Sequence, residues 1–211
     1  MGRTTGLINS CMTFNEAFPP DLCLETSLVR LRTVQDEDIP ALRLLASDPS
    51  IWKYFSTELH HKGETERWFA DAAREYAEHK RIAFAIINKS TGEICGSTSY
   101  GNISVFDRRL EIGWTWLGKA FQGSHVNSQA KLALLRYAFE SINMERVEIK
   151  TDNLNDRAKR AIEKVGFTFE GVFRSHMQMP HSRRRDSAYF SLLKREWPEV
   201  KQRCFQPIEL S

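Results

Sequence analysis

Long apolar runs are missing from this chain. No segment approaches the roughly 18 consecutive apolar residues that a membrane-spanning helix requires, which argues against a membrane protein. The opening stretch, MGRTTGLINSCMTF, has neither a continuous apolar core nor a clear cleavage site, and Gly6 stands where a myristoylation signal wants Ser or Thr. The expectation is a cytoplasmic protein. Cysteine is sparse: Cys11, Cys23, Cys95 and Cys204 are scattered without the close pairs of a zinc site or a redox motif, so buried or idle thiols and no metal are expected. An excess of one charge is lacking as well. Thirty Lys and Arg face 27 Asp and Glu, interleaved along the chain, and a net charge of +3 builds no basic stripe for nucleic acid. The exception is the run Arg183-Arg184-Arg185. Internal repeats and low-complexity segments are also absent.

What is present fits one globular domain: 211 residues, 41% hydrophobic and 27% charged. Residues 1–22 show little periodicity and end in Phe18-Pro19-Pro20-Asp21, which suggests a loosely ordered N-terminal arm before a domain over residues 23–211. A strand is expected over Thr26 to Val34. A helix follows, with Ile39, Leu42, Leu45 and Ala46 on one stripe until Asp48-Pro49, and a second helix spans Glu64 to Lys80. Strands at Ile82 to Asn88 and Glu93 to Ile103 flank the turn-forming Lys89-Ser90-Thr91-Gly92 and read as a hairpin. A strand at Leu110 to Leu117, a helix at Ser128 to Glu140, a strand at Arg146 to Thr151 and a helix at Asn155 to Val165, stopped by Gly166, come next. Strands at Phe167 to Phe173 and Asp186 to Leu193 complete an order that implies a mixed α/β layer fold, not a doubly wound one.

Between the fourth strand and the third helix lies GKAFQGSHVN, residues 118–127. A turn feeding a helix N-terminus can hold phosphate on its unpaired backbone N–H groups. Neither familiar nucleotide pattern fits, because Gly118 is followed directly by Lys119 and Gly123 by Ser124. By itself the turn is equally readable as a plain connection.

Its neighbours change that reading. Glu111-Ile112-Gly113-Trp114-Thr115-Trp116-Leu117, Gln122 to Asn127, Thr151-Asp152-Asn153-Leu154-Asn155 and Lys164-Val165-Gly166-Phe167 together, over about Leu24 to Val200, resemble the GNAT N-acetyltransferases, in the RimJ/RimL-like branch of ribosomal-protein N-terminal acetyltransferases. The resemblance implies a central, mostly antiparallel twisted sheet of about seven strands, helices on both faces, and a splayed strand pair that takes acetyl-CoA. It implies that the backbone of Thr115, Trp116 and Leu117 pairs with the pantetheine arm, and that Gln122, Gly123, Ser124, His125, Val126 and Asn127 cradle the pyrophosphate. In that cradle His125 and Asn127 occupy positions the family keeps small. His125 is open to a phosphate contact or a solvent-facing role, and Asn127 to capping the helix. Asn155 is implied beside the pantetheine, with Arg157, Lys159 and Arg160 toward the phosphates or on a solvated helix face.

The chemistry so implied is acetyl transfer to a primary amine, a protein N-terminal α-amine first, a polyamine or amine-bearing antibiotic second. Glu111 is the candidate base, acting through water, because strand alternation would set Glu111, Gly113 and Thr115 opposite Leu110, Ile112 and Trp114. A purely structural glutamate is the competing reading. A backbone N–H near Trp116 is the implied donor to the thioester oxygen. The proton donor for the thiolate has no clear candidate: Ala158 and Ile162 stand where relatives carry hydroxyls, and Ser97, Ser99, Tyr100 and His176 are not ranked by the sequence. Arg183 and Arg184 suggest a preference for acidic acceptors. Homodimers are common among such proteins, although no residue here identifies an interface. A module that binds acyl-CoA without turnover is the rival raised by His125, Asn127, Ala158 and Ile162, and a nucleotide-binding turn is the third reading.

Overall fold

The computed structural model describes residues 12–206. Eight strands, β1 (Cys23–Glu25), β2 (Val29–Thr33), β3 (Arg81–Asn88), β4 (Ile94–Ser104), β5 (Arg109–Leu117), β6 (Arg146–Asp152), β7 (Thr168–Gln178) and β8 (Arg184–Leu193), form one sheet in the order β1-β2-β3-β4-β5-β6-β8-β7. Every neighbouring pair is antiparallel except β5 and β6. Short helix α1 (Phe14–Ala17) precedes the sheet, α2 (Ile39–Ala46) and α3 (Glu64–Ala77) lie between β2 and β3, and α4 (Val126–Arg136) joins β5 to β6. α5 (Asp156–Lys164) joins β6 to β7, and α6 (Trp197–Val200) follows β8. Among the described residues no helix is long and apolar enough to cross a membrane.

The alternation of β3 explains why both faces are covered. Ile82, Phe84 and Ile86 enter the main core with Leu132, Leu135 and Phe139 from the α4 side, whereas Ala83 faces a second cluster built by Leu42 and Ala46 of α2, Trp68 and Ala72 of α3, and Trp116. A strand buried on both faces reads as a continuous apolar run, as β3 does.

Two features separate β5 from β6. Their parallel pairing stops after Arg109↔Arg146, Leu110↔Val147 and Glu111↔Glu148. On the other edge the β4 register jumps from Ser97↔Trp116 to Ser99↔Gly113, so Trp114 and Thr115 together oppose Thr98 alone. That is a β-bulge, with Trp114 at φ +51, and a bulge bends and twists its strand away from a straight neighbour. β6 meanwhile continues along β8 as far as Asp152↔Ser187. The expected splayed pair is therefore present.

The sheet has eight strands instead of about seven. The additional one, β1, is three residues long, too short to show a period. Residues 12–22 also depart from the loosely ordered arm expected there. Thr13 and Glu16 form a reciprocal capping box at α1, and Phe14, Ala17, Phe18 and Leu22 are buried in the main core. Tyr76 and Tyr137 donate hydroxyl hydrogen bonds to the Phe18 and Ala17 carbonyls at 2.8 and 2.6 Å. The remainder of that expectation, residues 1–11 with Cys11, lies outside the described residues. Cys23, Cys95 and Cys204 are free thiols.

Candidate active site

Glu111 is the last β5 residue paired to β6. It is 3% exposed, and a buried carboxylate is tolerated only when paired and hydrogen-bonded. Its Oε2 accepts from Asn102 Nδ2 at 2.6 Å and from Lys150 Nζ at 2.5 Å. Its Oε1 lies over Gly113, where an added Cβ would come within 2.9 Å. Asn102 comes from β4 at φ +48, a conformation Asn tolerates better than most residues. A cleft of about 570 Å³ opens here, lined by Glu111, Trp114, Arg81, Asn102, Glu148 and Tyr189 among others.

The alternation expected along this strand is inverted by the bulge. Trp114 shares the cleft with Glu111, its ring packed where a side chain on Gly101 would clash at 2.4 Å. Thr115 turns to the α4 face instead, where its Oγ1 shares a 2.8 Å hydrogen bond with Thr98 and accepts from Lys131 Nζ at 3.0 Å. Trp116 packs against Trp52 with ring centroids 5.2 Å apart, and Leu117 enters the main core. Gly118 N–H donates to the Cys95 carbonyl at 2.9 Å. Amides alternate along a strand, so the Leu117 N–H points to the opposite edge, which β6 has left.

The turn that follows is tied to both sides of the splay. Gln122 Nε2 donates to the Leu117 carbonyl at 3.1 Å, and Gln122 Oε1 accepts from Arg157 Nη1 of α5 at 3.0 Å. Gly123, at φ +81, has open space where a Cβ would stand. Ser124 Oγ donates to the Phe121 carbonyl at 2.6 Å and accepts the Val126 N–H at 3.3 Å. The first helical bond of α4 runs from Gln129 N–H to the His125 carbonyl, so the Asn127 and Ser128 amides ahead of it are not used within the helix. His125 is exposed and Asn127 half-buried, and neither side chain fills the space at Gly123. The α4 N-cap position is His125, so Asn127 does not cap the helix; its Oδ1 is buried without a hydrogen-bond partner among the described residues.

On α5, Asn155 is the N-cap, its Oδ1 accepting from Ala158 N–H at 3.1 Å. Lys159 is held by the Asn153 carbonyl and Asp156. Arg160 lines a separate cleft of about 290 Å³ with Asn153, Phe169 and Phe190, so Arg157 is the basic residue of this helix that meets the turn. Ile162 is buried in the main core.

The hydroxyls of Ser97 and Ser99 are buried without hydrogen-bond partners among the described residues. Tyr100 donates to the Leu134 carbonyl, and complete burial raises its phenol well above the usual range. His176 Nδ1 meets Ser187 Oγ at 3.0 Å; burial, then the charges of Lys150 and Arg185, hold its imidazole below the ordinary value. Arg183 pairs with Asp152, Arg184 with Ser175, and Arg185 is buried. Arg183 ties the hairpin to β6, and Arg184 ties its two strands together.

Arg81 and Asn102 of the cleft, and Lys150 beside Glu111, escaped the sequence reading. Lys150 had a signal, since Glu148 and Lys150 alternate with the apolar Val147 and Ile149 and so face away from the main core. Asn102 had none, because nothing local announces a positive φ.

Comparison with known proteins agrees with this geometry. Residues 29–168 match the acetyltransferase (GNAT) domain. The chain is 30% identical over 176 residues to the "Putative ribosomal N-acetyltransferase YdaF" of Bacillus subtilis (strain 168), covering 82% of this chain and 94% of that one. It is 23% identical over 145 residues to the spermidine N(1)-acetyltransferase of Escherichia coli (strain K12), covering 68% and 74% of the two chains. The crystal structure of a GCN5-related N-acetyltransferase from Brucella melitensis superposes with a TM-score of 0.80 at 28% identity, over 87% of this chain and 84% of that one. This chain belongs to the GNAT acetyltransferase family. It is an acyltransferase whose acetyl donor is acetyl-CoA.

Proposed function

We propose that the acceptor is a protein N-terminal α-amine. The observation that carries this reading is the charge pairing in the cleft. The three carboxylates lining it, Glu75, Glu111 and Glu148, are matched by Lys80, Arg81 and Arg109 in the same lining; Glu75 pairs with Arg81, Glu111 with Lys150, and Glu148 shares Arg146 with Glu170. A polyamine needs surplus negative charge, and this wall offers none. The likeness to a relative named for ribosomal acetylation supports the same choice.

The turn Gln122, Gly123, Ser124, His125, Val126 and Asn127, with amides not used within the helix, fits a pyrophosphate, and the free edge of Thr115, Trp116 and Leu117 fits the pantetheine. Asn155 stands at the start of the facing helix and Arg157 reaches the turn. Arg160 is set apart and has no part in this reading. Acetyl-CoA supplies the activated acetyl group; the protein supplies position and a place for the amine proton. Glu111 holds Oε2 on Asn102 and Lys150, which leaves Oε1 to take that proton through a water. An α-amine asks little of such a base, because about one in ten is neutral at pH 7 against fewer than about one lysine in a thousand. Solvent protonates the departing thiolate, since Ala158 and Ile162 carry no hydroxyl and Tyr100 is sealed in the core.

The test is turnover, followed by thiol release, on peptides of varied first residue beside spermidine. Peptide acetylation at the α-amine is expected. Spermidine turnover without peptide turnover would overturn the acceptor, and tight CoA binding without any turnover would favour a binding module.

A further inference from the structure

We infer that Arg81 reads the carbonyl oxygen next to the acceptor's amine, which makes the cleft selective for aminoacyl compounds over plain alkylamines; this rests on the α-amine reading above. Arg81 opens β3 and lines the same cleft as Glu111. It is 3% exposed. Its Nε donates to Glu75 Oε2 at 2.5 Å, and its guanidinium sits 5.7 Å from the Trp68 ring and 5.3 Å from the Trp114 ring. Its Nη1 is buried and has no hydrogen-bond partner among the described residues. Leaving a buried donor unmade is destabilising, the more so when it is charged. Glu75 and the two indoles therefore fix the group while one of its donors stays unused.

The chemistry of that donor selects the ligand. A guanidinium offers planar N–H groups suited to carbonyl and carboxylate oxygens, and it repels a second ammonium. Trp114 connects it to the reacting end: the same ring has Lys150, the partner of Glu111, 5.9 Å from its centroid. An acceptor lying over Trp114 with its amine toward Glu111 directs its next carbonyl toward Arg81. A polyamine would direct a cation there.

The experiment compares an alanyl peptide with the same peptide carrying an (E)-alkene in place of the first peptide bond, using wild type, Arg81→Gln and Arg81→Lys. Differences in amine basicity cancel when each variant's preference is divided by that of wild type. Wild type should favour the carbonyl peptide at least tenfold in kcat/KM, mostly through KM. Relative to wild type, Arg81→Gln should cut that preference at least fivefold, Arg81→Lys should cut it less, and CoA affinity should report that all three are folded. If Arg81→Gln slows both substrates equally, or wild type shows no preference, Arg81 is structural and the inference is overturned while peptide turnover still supports the α-amine. Spermidine turnover without peptide turnover would sink both.

Discussion

Lys150 donates to Glu111 Oε2 at 2.5 Å where the parallel pairing of β5 and β6 ends, so the buried carboxylate and its cation stand together at the apex of the splay. Glu111→Gln keeps the shape and removes the base. With general-base contributions of about 10²–10⁴ in rate, kcat should fall about a hundredfold while acetyl-CoA affinity holds. Steady-state kinetics beside calorimetry would separate the two, and an unchanged kcat would leave Glu111 a structural role only.

Removing the cation has a different signature. Lys150→Met leaves Glu111 buried with Asn102 as its remaining side-chain donor. Breaking a buried pair costs roughly 3–5 kcal/mol, and less here because the Lys150 side chain keeps 15% exposure. Denaturant titration should therefore show a stability loss of about 2–3 kcal/mol in this variant. Unchanged stability would mean that the ion pair does not hold Glu111 in place.

The turn should respond to charge. Ser124→Glu places a carboxylate at the start of α4, where the proposed pyrophosphate would meet it. Titration with acetyl-CoA should show at least tenfold weaker binding, about 1.4 kcal/mol. Ser124→Ala controls for the lost contacts to Phe121 and Val126 and should cost far less. Equal binding by the two variants would take the pyrophosphate away from this turn.

Lys131 gives a pH-dependent test of stability. Burial pushes its ammonium from 10.5 down to about 8. Above the unfolded value the lysine is neutral in both states and costs nothing through its charge. As pH falls from 10.5 toward 8 the unfolded chain gains the proton first, so stability drops, and below 8 the full penalty applies. A shift of this size is worth about 3 kcal/mol. Lys131→Met should therefore stabilise the protein near pH 7, with the advantage shrinking toward pH 10 in denaturant titrations. Thr115 keeps its hydrogen bond to Thr98 in the variant.

How legible the site was depended on what each residue's position required. Alternation and turn composition revealed the β3–β4 hairpin, and Gly166, at φ +92, marked the end of α5. The free edge of β5 and the exposed turn lie where the resemblance put them. The bulge at Trp114 did not announce itself, because hydrophobic period carries no record of one residue's φ, and every face assignment after Gly113 slipped with it. Asn127 was misjudged as a cap for a related reason: α4 begins at Val126, two residues before the apolar stripe suggests. On α5, Arg157 and Arg160 are indistinguishable in sequence, and a step of about one turn along the axis puts the first at Gln122 and the second beside Phe169.

The N-terminal segment offers the sharpest contrast between the two views. A loosely ordered arm would tolerate truncation of its side chains, with surface changes usually within about 0.5 kcal/mol. Phe18 is instead fully buried, with its ring 5.2 Å from Phe14 and 5.7 Å from Tyr100. Tyr100 also packs at 5.6 Å on Phe84 of β3, so Phe18 extends the core that supports the middle of the sheet. Phe18→Ala should lower unfolding free energy by about 3–5 kcal/mol, the usual range for removing a buried phenyl ring. Denaturant titration at constant m-value would measure it. The Tyr76 hydroxyl bond to the Phe18 carbonyl survives the substitution because its acceptor is backbone, so the measured loss reports the ring alone. A loss below about 0.5 kcal/mol would return these residues to the status of an arm.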